Sequence, residues 1–338
     1  MKIAITADPE IPVPPLLYGG IERIIAMLID ELVAKGHEVT LFAHPDSQVP
    51  CKLIPYPGRG SRRWHDVISN TWIVSQALFS GFDVVHSFGR LAYLTALLPS
   101  TLPKIMSYQR EPSLQQVKRA MQLARRGTMC FTGCSEYIAS QIRPLAPAYA
   151  IYNGVPLNKY DYVAQVPAEA PLAFLGRIEP IKGAHLAVEI ARKSGRTLVL
   201  AGNVPPESQD YFNATIRPYL DGEQITYIGP VNDAQKNELL GQASAMLMPI
   251  EWNEPFGIVM AEALACGTPV IAFARGAAPE VVQHGVNGYL CTTLEEMLAL
   301  IPAIASLQRS ECRRTVEQHF SSQAIGAQYE ALYRKIRN

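Results

Sequence analysis

Short runs of β-branched and apolar residues alternate along the chain with longer stretches in which apolar positions recur every three or four residues. The short runs predict β-strands, and the longer stretches predict amphipathic helices. In the first half, the predicted strands are Lys2–Ala7, Glu38–Ala43, Asp83–His86, Lys104–Ser107, Met129–Gly133 and Ala148–Ile151. The predicted helices of this half include Gly20–Lys35, Arg63–Phe79 and Leu114–Arg125.

The second half repeats this alternation more regularly. Its predicted strands are Leu172–Gly176, Thr197–Ala201, Ile225–Gly229, Ala245–Pro249, Pro269–Phe273 and Gly288–Cys291. Its predicted helices include Ala184–Lys193, Gln235–Gln242, Gly257–Ala265, Leu294–Ala305 and a last one over Ser321–Arg337. Strict alternation of strands and helices predicts parallel sheets that are covered by helices on both faces.

The length of 338 residues favours two domains of this α/β class. The stretch Asn158–Pro171 has little periodicity, so we expect the domain boundary there. We therefore predict doubly wound, Rossmann-like domains over residues 1–157 and 158–320, followed by a C-terminal helix within residues 321–338. In such sheets, ligands bind beyond the carboxyl ends of the strands, so polar motifs in strand-to-helix loops are the candidates for function.

The charges balance over the whole chain but not within its halves. The chain has 30 Lys and Arg against 30 Asp and Glu, whereas residues 1–150 carry 15 basic and 11 acidic side chains. The excess forms two clusters, which are Arg59, Arg62 and Arg63 and then Lys118, Arg119, Arg125 and Arg126. Such clusters suit anionic lipid, phosphate-bearing acceptors or nucleic acid, although solvated helix faces are the favoured interpretation. No nucleic-acid-binding module accompanies them, so we expect no nucleic-acid partner.

The six cysteines predict neither disulfides nor a zinc site. A chain with 48% hydrophobic residues can build a core without disulfides, and Cys130 and Cys134 lack the second pair that a zinc site requires. We expect reduced, mostly buried thiols. No signal peptide precedes the first predicted strand, and no apolar run approaches the ~18 residues of a membrane span. We therefore expect a cytoplasmic protein, for which peripheral contact with the inner face of a membrane stays open.

The most informative string runs from Glu254 to Glu262 and follows the predicted strand Ala245–Pro249. Pro255 suits the start of a helix, and Gly257 lets the backbone approach a ligand closely. The first N–H groups of such a helix, together with its dipole, form a site suited to a diphosphate. Glu262 lies farther along the helix, where its carboxylate suits a ribose diol. Taken singly, Glu254 fits a helix cap and Glu262 an ordinary helix-surface residue.

A second string, from Phe174 to Gly183, ends one predicted strand and begins the next helix. Its loop carries Arg177 and Lys182, a planar fork and a point charge that can clamp a diphosphate together. They would also neutralise the charge that grows on a departing nucleoside diphosphate. Cations near a helix N-terminus are unfavourable by the dipole rule, which weakens the interpretation that they are ordinary surface residues.

A third string, Tyr18-Gly19-Gly20, joins the first strand to the first helix. Paired glycines there can bring backbone N–H groups against phosphate or an acceptor, although many strand-to-helix turns use glycine. The chain contains neither G-x-G-x-x-G nor a P-loop, so an NAD-dependent dehydrogenase is excluded in practice.

With these strings, the chain resembles the family-4 retaining glycosyltransferases of the GT-B fold, also called group 1 glycosyltransferases. The resemblance spans nearly the whole sequence and includes Asn153-Gly154-Val155 at the crossover between the halves. Its most specific marks are Gly176-Arg177 with Lys182-Gly183, and the pair Glu254 and Glu262. It implies two Rossmann-like domains that face each other across a cleft, with the last helix packed back on the first domain.

The resemblance also implies a role for each motif. The residues implied for the donor diphosphate are Arg177, Lys182, Gly257, Ile258 and Val259. Those implied for the donor sugar are Glu254, Phe256 and Gly257, that for the ribose is Glu262, and those for the base are Tyr227 and Ile228. Gly19 and Gly20 would line the acceptor side. Glu254 and His86 are the candidate catalytic residues, although Phe88 stands where the family often has a second histidine, so His86 also fits an ordinary strand-end residue.

The expected reaction is a retaining transfer of a hexose from a nucleoside diphosphate sugar, with UDP-glucose suggested by family frequency alone. The acceptor would be a hydroxyl of a saccharide or lipid-linked saccharide in polysaccharide biosynthesis. Arg177 and Lys182 would replace a metal, so we expect no metal and no cofactor. One alternative is a sugar-nucleotide epimerase, for which Glu111 and Glu136 are the acid–base candidates, with Ser135 expected to cap the helix that begins at Glu136. Another is a catalytically silent scaffold that binds nucleotide sugar.

Overall fold

The chain divides into two units in the computed structural model, which describes residues 1–15 and 19–337. One unit comprises the described residues up to Gly154 together with the C-terminal helix from Ser322, and the other comprises Val155–Ser321. The first change of unit comes three residues before the limit expected from the sequence at 157/158. The return comes one residue after the expected limit at 320/321.

The first unit is built on a parallel sheet of seven strands in the order β3-β2-β1-β4-β5-β6-β7. The strands are β1 (Lys2–Thr6), β2 (Glu38–Ala43), β3 (Lys52–Pro55), β4 (Val84–Ser87), β5 (Lys104–Tyr108), β6 (Met129–Gly133) and β7 (Ala148–Ala150). β1 pairs with β2 on one side and with β4 on the other, so the strand order reverses between β1 and β4. This reversal makes the unit doubly wound, as predicted.

Four helices cover this sheet between its strands: α1 (Gly20–Ala34), α2 (Trp64–Ser75), α3 (Leu114–Leu123) and α4 (Glu136–Ile142). The helix predicted over Arg63–Phe79 is shorter than expected, because its last residues form a 3-10 segment, Gln76–Phe79. A longer 3-10 segment, Leu91–Leu97, connects β4 to β5.

The sequence analysis missed β3. The last residue of β3 is Pro55, and Pro57 follows two residues later. Proline argues against a central strand, because it donates no hydrogen bond to a neighbouring strand. β3 lies at the edge of the sheet and pairs only with β2, with Leu41 opposite Leu53. An edge strand tolerates proline on its unpaired side.

The second unit has a parallel sheet of six strands in the order β10-β9-β8-β11-β12-β13. The strands are β8 (Leu172–Leu175), β9 (Leu198–Ala201), β10 (Ile225–Tyr227), β11 (Ala245–Met248), β12 (Val270–Phe273) and β13 (Gly288–Cys291). The order reverses between β8 and β11, which pair directly. The prediction of two doubly wound sheets is therefore confirmed.

The helices of the second unit are α5 (Ala184–Ser194), α6 (Gln209–Thr215), α7 (Asp233–Gln242), α8 (Ile258–Ala265), α9 (Ala278–Val281), α10 (Leu294–Leu300) and α11 (Arg309–Thr315). The helix predicted over Leu294–Ala305 ends at Leu300, because Pro302 opens a 3-10 segment that runs to Ser306. α7 begins two residues before the predicted Gln235, since Asn232 caps it with a reciprocal bond to the Gln235 side chain.

The last helix, α12 (Ser322–Arg337), belongs to the first unit and packs on α1. Tyr329 and Tyr333 of α12 are buried in that unit. Lys35, just after α1, forms an ion pair of 3.1 Å with Glu330. The chain therefore ends on the unit in which it begins.

The two points at which the chain changes unit are joined by backbone contacts. Val155 forms a parallel bridge with Ser321, and the Val155 N–H donates to the carbonyl of Phe320 at 2.8 Å. A β-carbon placed on Gly154 would lie 3.0 Å from Cγ1 of Ile325 in α12. The segments that leave and re-enter the first unit thus lie side by side.

All six cysteines are free thiols, and all except Cys51 are buried. In the ranges 1–15 and 19–337, no helix combines the length and the apolar character needed to cross a membrane.

Candidate functional site

The candidate donor site lies where the strand order of the second unit reverses. Parallel strands that diverge at such a point leave a crevice at their carboxyl ends. Arg177 and Lys182 follow β8, and Glu254 and Gly257 follow β11, which is the neighbour of β8. The fold thus brings together two motifs that lie more than seventy residues apart in the sequence.

An ion pair joins the two loops. The Lys182 ammonium lies 2.7 Å from Oε2 of Glu254, and the Trp252 indole N–H donates to the same oxygen at 3.0 Å. The ammonium also lies 4.8 Å from the centroid of the Trp252 ring. The side chains of Lys182 and Glu254 are only 19% and 12% exposed. A cation and an anion are therefore held side by side at the crevice, with the indole fixing both.

The backbones of the two loops are also in close contact. Gly183 has φ 75°, in the left-handed region, and a β-carbon there would lie 2.0 Å from the carbonyl oxygen of Pro249. The Glu251 N–H donates to the carbonyl of Ile181 at 2.8 Å. Only glycine permits both this conformation and this approach. The glycine after Lys182 thus sets the distance between the two halves of the site.

Gly257 is the N-cap of α8 rather than the first helical residue predicted, with φ 75° and ψ 65°. Ile258 and Val259 form the first turn, whose N–H groups have no acceptor within an α-helix. Together with the helix dipole, they form a site that favours an anion. The Phe256 side chain is 2% exposed and packs on Phe320, so this residue can offer a ligand only its backbone.

Arg177 occupies the same strand-end loop but has a different partner. Its guanidinium lies 2.8 Å from Oε1 of Glu179, and its side chain is 37% exposed. Both cations of the predicted diphosphate clamp are therefore paired with carboxylates, Lys182 with Glu254 and Arg177 with Glu179.

Glu262 is buried, which rules out the alternative of an ordinary helix-surface residue. Its Oε1 accepts hydrogen bonds from the Tyr160 hydroxyl at 2.6 Å and from the Lys236 ammonium at 2.5 Å. Burial, and then the charge of Glu262, hold the pKa of Tyr160 well above its ordinary value of 10. The sequence analysis missed Tyr160 and Lys236. They lie 102 and 26 residues from Glu262, so no local spacing points to them.

The predicted base-binding residues lie at the carboxyl end of β10. The Tyr227 hydroxyl donates to the carbonyl of Gly202 at 2.7 Å, and its ring packs against Phe212. Ile228 is 46% exposed and presents an apolar surface. In the structure, the Tyr227 hydroxyl thus anchors the loop after β9.

A catalytic role for His86 does not fit the structure. His86 lies in β4 and is fully buried. Its Nδ1 is 2.7 Å from the Tyr333 hydroxyl, and its Nε2 is 2.6 Å from the Ser107 hydroxyl. Burial lowers the pKa of the imidazole to about 3, so the ring is neutral. With both nitrogens held by the protein, His86 ties β4 to β5 and α12 and has no nitrogen to offer a sugar.

The first unit has its own cavity, of about 610 Å³, beyond the ends of β1, β4 and β5. It opens where the strand order of this sheet reverses. Four buried polar atoms of its lining have no hydrogen-bond partner among the described residues: Asp8 Oδ1, Arg90 Nε, Tyr108 OH and Gln109 Nε2. Buried polar groups are almost always paired in proteins, so these atoms point to a polar ligand.

Two carboxylates of this cavity are perturbed by burial. Burial and the nearby Glu10 raise the pKa of Asp8, while Arg90 lowers it in part. Burial likewise raises the pKa of Glu22, which is 5% exposed. Perturbed carboxylates in a cavity are typical of functional sites.

The predicted acceptor loop borders this cavity. Gly19 caps α1 and Gly20 begins it, directly before the lining residues Ile21 and Glu22. Tyr18 lies outside the described residues. The sequence analysis missed Tyr108 and Gln109. They directly follow the predicted strand Lys104–Ser107, which in the structure extends to Tyr108, so the strand-end rule would have found them.

The two carboxylates proposed for an epimerase have structural partners in the first unit. Glu111 accepts a hydrogen bond from the Tyr137 hydroxyl at 2.6 Å, and Glu136 pairs with Arg143. The predicted cap of α4 is confirmed, because the Ser135 hydroxyl accepts from the Ile138 N–H at 3.2 Å. Both carboxylates therefore hold α4 and its surroundings.

Comparison with known families decides the class of protein. The family model described as glycosyl transferases group 1 matches residues 166–324, and that of glycosyltransferase family 4 matches residues 18–159. The chain belongs to the family-4, group 1 glycosyltransferases. This glycosyltransferase is thus an enzyme of the transferase class, and the predicted family is confirmed. The matches support a glycosyltransferase over the silent-scaffold and epimerase alternatives.

Relatives of this glycosyltransferase extend over its whole length. Spore coat protein SA of Bacillus subtilis is 24% identical over 388 aligned positions that cover all of both proteins. The crystal structure of AviGT4, a glycosyltransferase involved in avilamycin A biosynthesis, is 26% identical, with a TM-score of 0.72 over 99% of this chain and 98% of that one. Anabaena HepE in complex with UDP and glucose is 20% identical, with a TM-score of 0.74 over 99% and 100% of the two chains. These likenesses confirm the predicted GT-B fold.

Proposed function

We propose that this glycosyltransferase moves a hexose from a nucleoside diphosphate sugar to a hydroxyl of a saccharide or lipid-linked saccharide, with retention and without a metal, in polysaccharide biosynthesis. The observation that carries the proposal is the Lys182–Glu254 pair, which lies at the strand reversal beside the first turn of α8. A diphosphate needs the cation and the helix N-terminus, and a sugar needs the carboxylate. UDP-glucose is the first donor to test, since the similar HepE structures contain UDP and glucose.

In this proposal, Lys182 and Arg177 bind the donor diphosphate together with the N–H groups of Ile258 and Val259. Charge builds up on the diphosphate as its bond to the sugar breaks. Cations fixed beforehand stabilise that charge without reorganising at the moment of reaction. In this proposal the Arg177 guanidinium, whose side chain is 37% exposed, exchanges Glu179 for the donor diphosphate.

Glu254 and Glu262 bind the two sugars of the donor. Both bonds to Glu254 from Lys182 and Trp252 go to Oε2, so Oε1 is directed to the hydroxyls of the hexose. Both bonds to Glu262 go to Oε1, which supports Oε2 as the oxygen proposed for the ribose diol. Each carboxylate is thus fixed through one oxygen and recognises a sugar through the other.

Retention follows if both bond changes occur on one face of the sugar. The acceptor oxygen forms a bond to the anomeric carbon as the bond to the diphosphate oxygen breaks, and a donor phosphate oxygen takes the acceptor proton. We assign no protein nucleophile. An α-linked donor then gives an α-glycoside and a free nucleoside diphosphate. Lys182 and Arg177 carry the charge-neutralising role that a divalent metal has elsewhere.

The acceptor binds in the cavity of the first unit. The unpaired Tyr108 hydroxyl and Gln109 amide supply hydrogen bonds to saccharide hydroxyls, and Arg90 suits a negatively charged group. Asp8 and Glu22 add carboxyl groups within the same cavity. Apolar residues, including Phe88 and Met106, cover the remaining walls, as expected for a site that takes sugar faces.

Calorimetric titration with UDP, GDP and ADP in the presence of EDTA tests the donor part of the proposal. We expect one nucleotide to bind to the wild type, and Arg177→Ala/Lys182→Ala to abolish that binding. Lys193→Ala is the matched control, because Lys193 is a paired lysine on the exposed side of α5. If no nucleotide binds, or if the double variant binds as tightly as the wild type, the diphosphate clamp is wrong. Binding that returns only after Mg²⁺ is added would contradict metal independence.

A further inference from the structure

Helix α2 presents an apolar stripe to solvent. Trp64, Ile68 and Trp72 follow one another at intervals of four residues, so they lie on one face of the helix. They are 74%, 59% and 64% exposed. Phe79, in the 3-10 segment that continues α2, is 90% exposed. A continuous exposed apolar stripe of this kind marks an interaction surface rather than a scatter of surface residues.

The inward side of α2 carries a buried polar anchor. Asn70 and Val74 are fully buried, and the Asn70 amide both accepts from the Gly58 N–H and donates to the Gly58 carbonyl, each at 2.9 Å. The helix is therefore anchored through a polar side chain, while its two tryptophans take no part in the core. Packing of the first unit does not account for these tryptophans.

Positive charge borders the stripe. Arg59, Arg62 and Arg63 are exposed and directly precede α2. The single acidic residue between positions 59 and 79 is Asp66, whose side chain is only 13% exposed and accepts from the Gly60 N–H at 2.9 Å. Outside this segment, the Glu10 carboxylate accepts from the Ser61 N–H at 3.0 Å and lies near Arg62, so it offsets one of the three positive charges. Aromatic side chains beside arginines that keep a net positive charge match the interface of an anionic lipid layer.

We propose that this surface, formed by Trp64, Ile68, Trp72, Phe79 and the three arginines, docks the enzyme on an anionic lipid bilayer. The aromatic rings enter the headgroup region, and the arginines contact lipid phosphates. The chain is held at the surface and does not span the bilayer. This inference does not depend on the donor site, which belongs to the second unit.

The docking surface adjoins the cavity of the first unit. α2 contacts the 3-10 segment Leu91–Leu97, and the Thr71 hydroxyl lies within 3.4 Å of the Ala92 carbonyl. Leu91, Ala92 and Thr95 of that segment line the cavity. If the cavity binds the acceptor, as proposed above, a lipid-linked saccharide can be reached from the docked position; this step rests on the proposed function.

Tryptophan fluorescence gives a direct test, because the chain has only three tryptophans, Trp64, Trp72 and Trp252. In Trp252→Phe, the signal comes from α2 alone. We expect vesicles of phosphatidylcholine with 30% phosphatidylglycerol to shift the emission to the blue, and brominated lipids to quench it. Vesicles of phosphatidylcholine alone should do much less. Emission that is unchanged by the anionic vesicles overturns the proposal.

Flotation with the same vesicles separates the two parts of the surface. Arg59→Gln/Arg62→Gln/Arg63→Gln should weaken binding about a hundredfold, since each basic residue near an anionic surface contributes about fivefold. Trp64→Ser/Trp72→Ser should weaken it at least tenfold through lost apolar burial. All five side chains are exposed, so we expect native far-UV circular dichroism and unchanged UDP binding in both variants.

The second basic cluster provides the matched control. Lys118→Gln/Arg125→Gln/Arg126→Gln removes the same charge from exposed positions on and after α3. We expect this variant to lose less than threefold in vesicle binding. An equal loss in both triple variants would mean diffuse charge attraction and would overturn the assignment to α2. The rival partner is a second copy of this chain, and sedimentation of the wild type and of the tryptophan double variant tests for it. If the wild type is a dimer and the variant is a monomer, the stripe is a protein interface and lipid docking is refuted.

Discussion

Replacing Lys182 with methionine tests the donor site with least disturbance. Methionine keeps the apolar stem beside Trp252 and removes only the ammonium that lies 2.7 Å from Glu254. We expect this variant to remain folded, to bind UDP weakly and to transfer sugar slowly. The loss should exceed that of an ordinary surface lysine, because the side chain is only 19% exposed.

The magnitude follows from two opposing terms. A hydrogen bond to a charged group contributes about 1.5–3 kcal/mol, which corresponds to an increase of about 10- to 150-fold in the Kd for UDP. Before UDP binds, the ammonium has Glu254 as a partner, so binding exchanges one anion for another. Separating the pair costs about 1 kcal/mol even on the scale of exposed ion pairs, and these side chains are mostly buried, which places the expected loss near the lower end of that range.

The same reasoning predicts that Glu254→Gln strengthens UDP binding, whereas Lys182→Met weakens it. Without the carboxylate, Lys182 has no ionic partner to give up, so UDP should bind up to about fivefold more tightly. Sugar transfer should nevertheless fall, because the carboxylate proposed for the hexose hydroxyls is gone. Affinity for UDP and the rate of transfer therefore move in opposite directions in this variant alone.

The assay is calorimetry with UDP at two ionic strengths, paired with transfer rates. Lys193→Met is the control, because Lys193 is also a lysine paired with a glutamate, 2.6 Å away, but on the exposed side of α5. The reasoning is refuted if Lys182→Met and Lys193→Met bind UDP equally well, or if Glu254→Gln weakens UDP binding as much as Lys182→Met does.

Two further predictions concern stability. Burial lowers the pKa of His86 from its ordinary value of 6.5 to about 3 in the folded protein. Between these pH values the folded state binds fewer protons than the unfolded state. The free energy of unfolding therefore falls as the pH drops below about 6.5. Urea unfolding should show the stability advantage of the wild type over His86→Gln shrinking by about 2 kcal/mol from pH 6.5 to pH 5, and a constant difference would contradict this. Gly183→Ala should destabilise the protein by about 3 kcal/mol or more, because its β-carbon would meet the Pro249 carbonyl, whereas Gly195→Ala, at a similar φ but in open space, should cost about 1 kcal/mol. Thermal unfolding compares the two glycine variants, and equal losses would mean that contact with Pro249 is unimportant.

The fold could be predicted from the sequence because its strands are buried on both faces. Such strands appear as mostly apolar runs, and the predicted bounds of Glu38–Ala43, Met129–Gly133 and Gly288–Cys291 are correct. The wrongly predicted elements were those in which prolines alter the local sequence pattern. Prolines concealed β3 at the sheet edge, and Pro302 ended α10 within a stretch that still had helical periodicity.

The site was predictable only as far as the strand-end rule extends. The rule pointed to the loops that carry Lys182 and Glu254. That these two loops are adjacent follows from the strand order, which the structure gives. The rule could not identify Lys236 as the partner of Glu262, since that contact depends on how α7 packs against α8. For His86 the same rule led to the prediction of a catalytic role, which does not fit the structure. In a sheet covered on both faces, a strand-end side chain can point into the core, and His86 does so.

The pairing of Val155 with Ser321 has a consequence for how this enzyme can be divided. The second unit is an insertion within the first, and its two ends are neighbours in space. Gly154 and Ile325 also lie against each other, so the flanking chain of the first unit is nearly closed across the gap. Close ends are the reason that domain insertion is tolerated. We therefore expect that exchanging residues 155–321 between relatives would transfer the proposed donor preference while both chain termini stay unchanged.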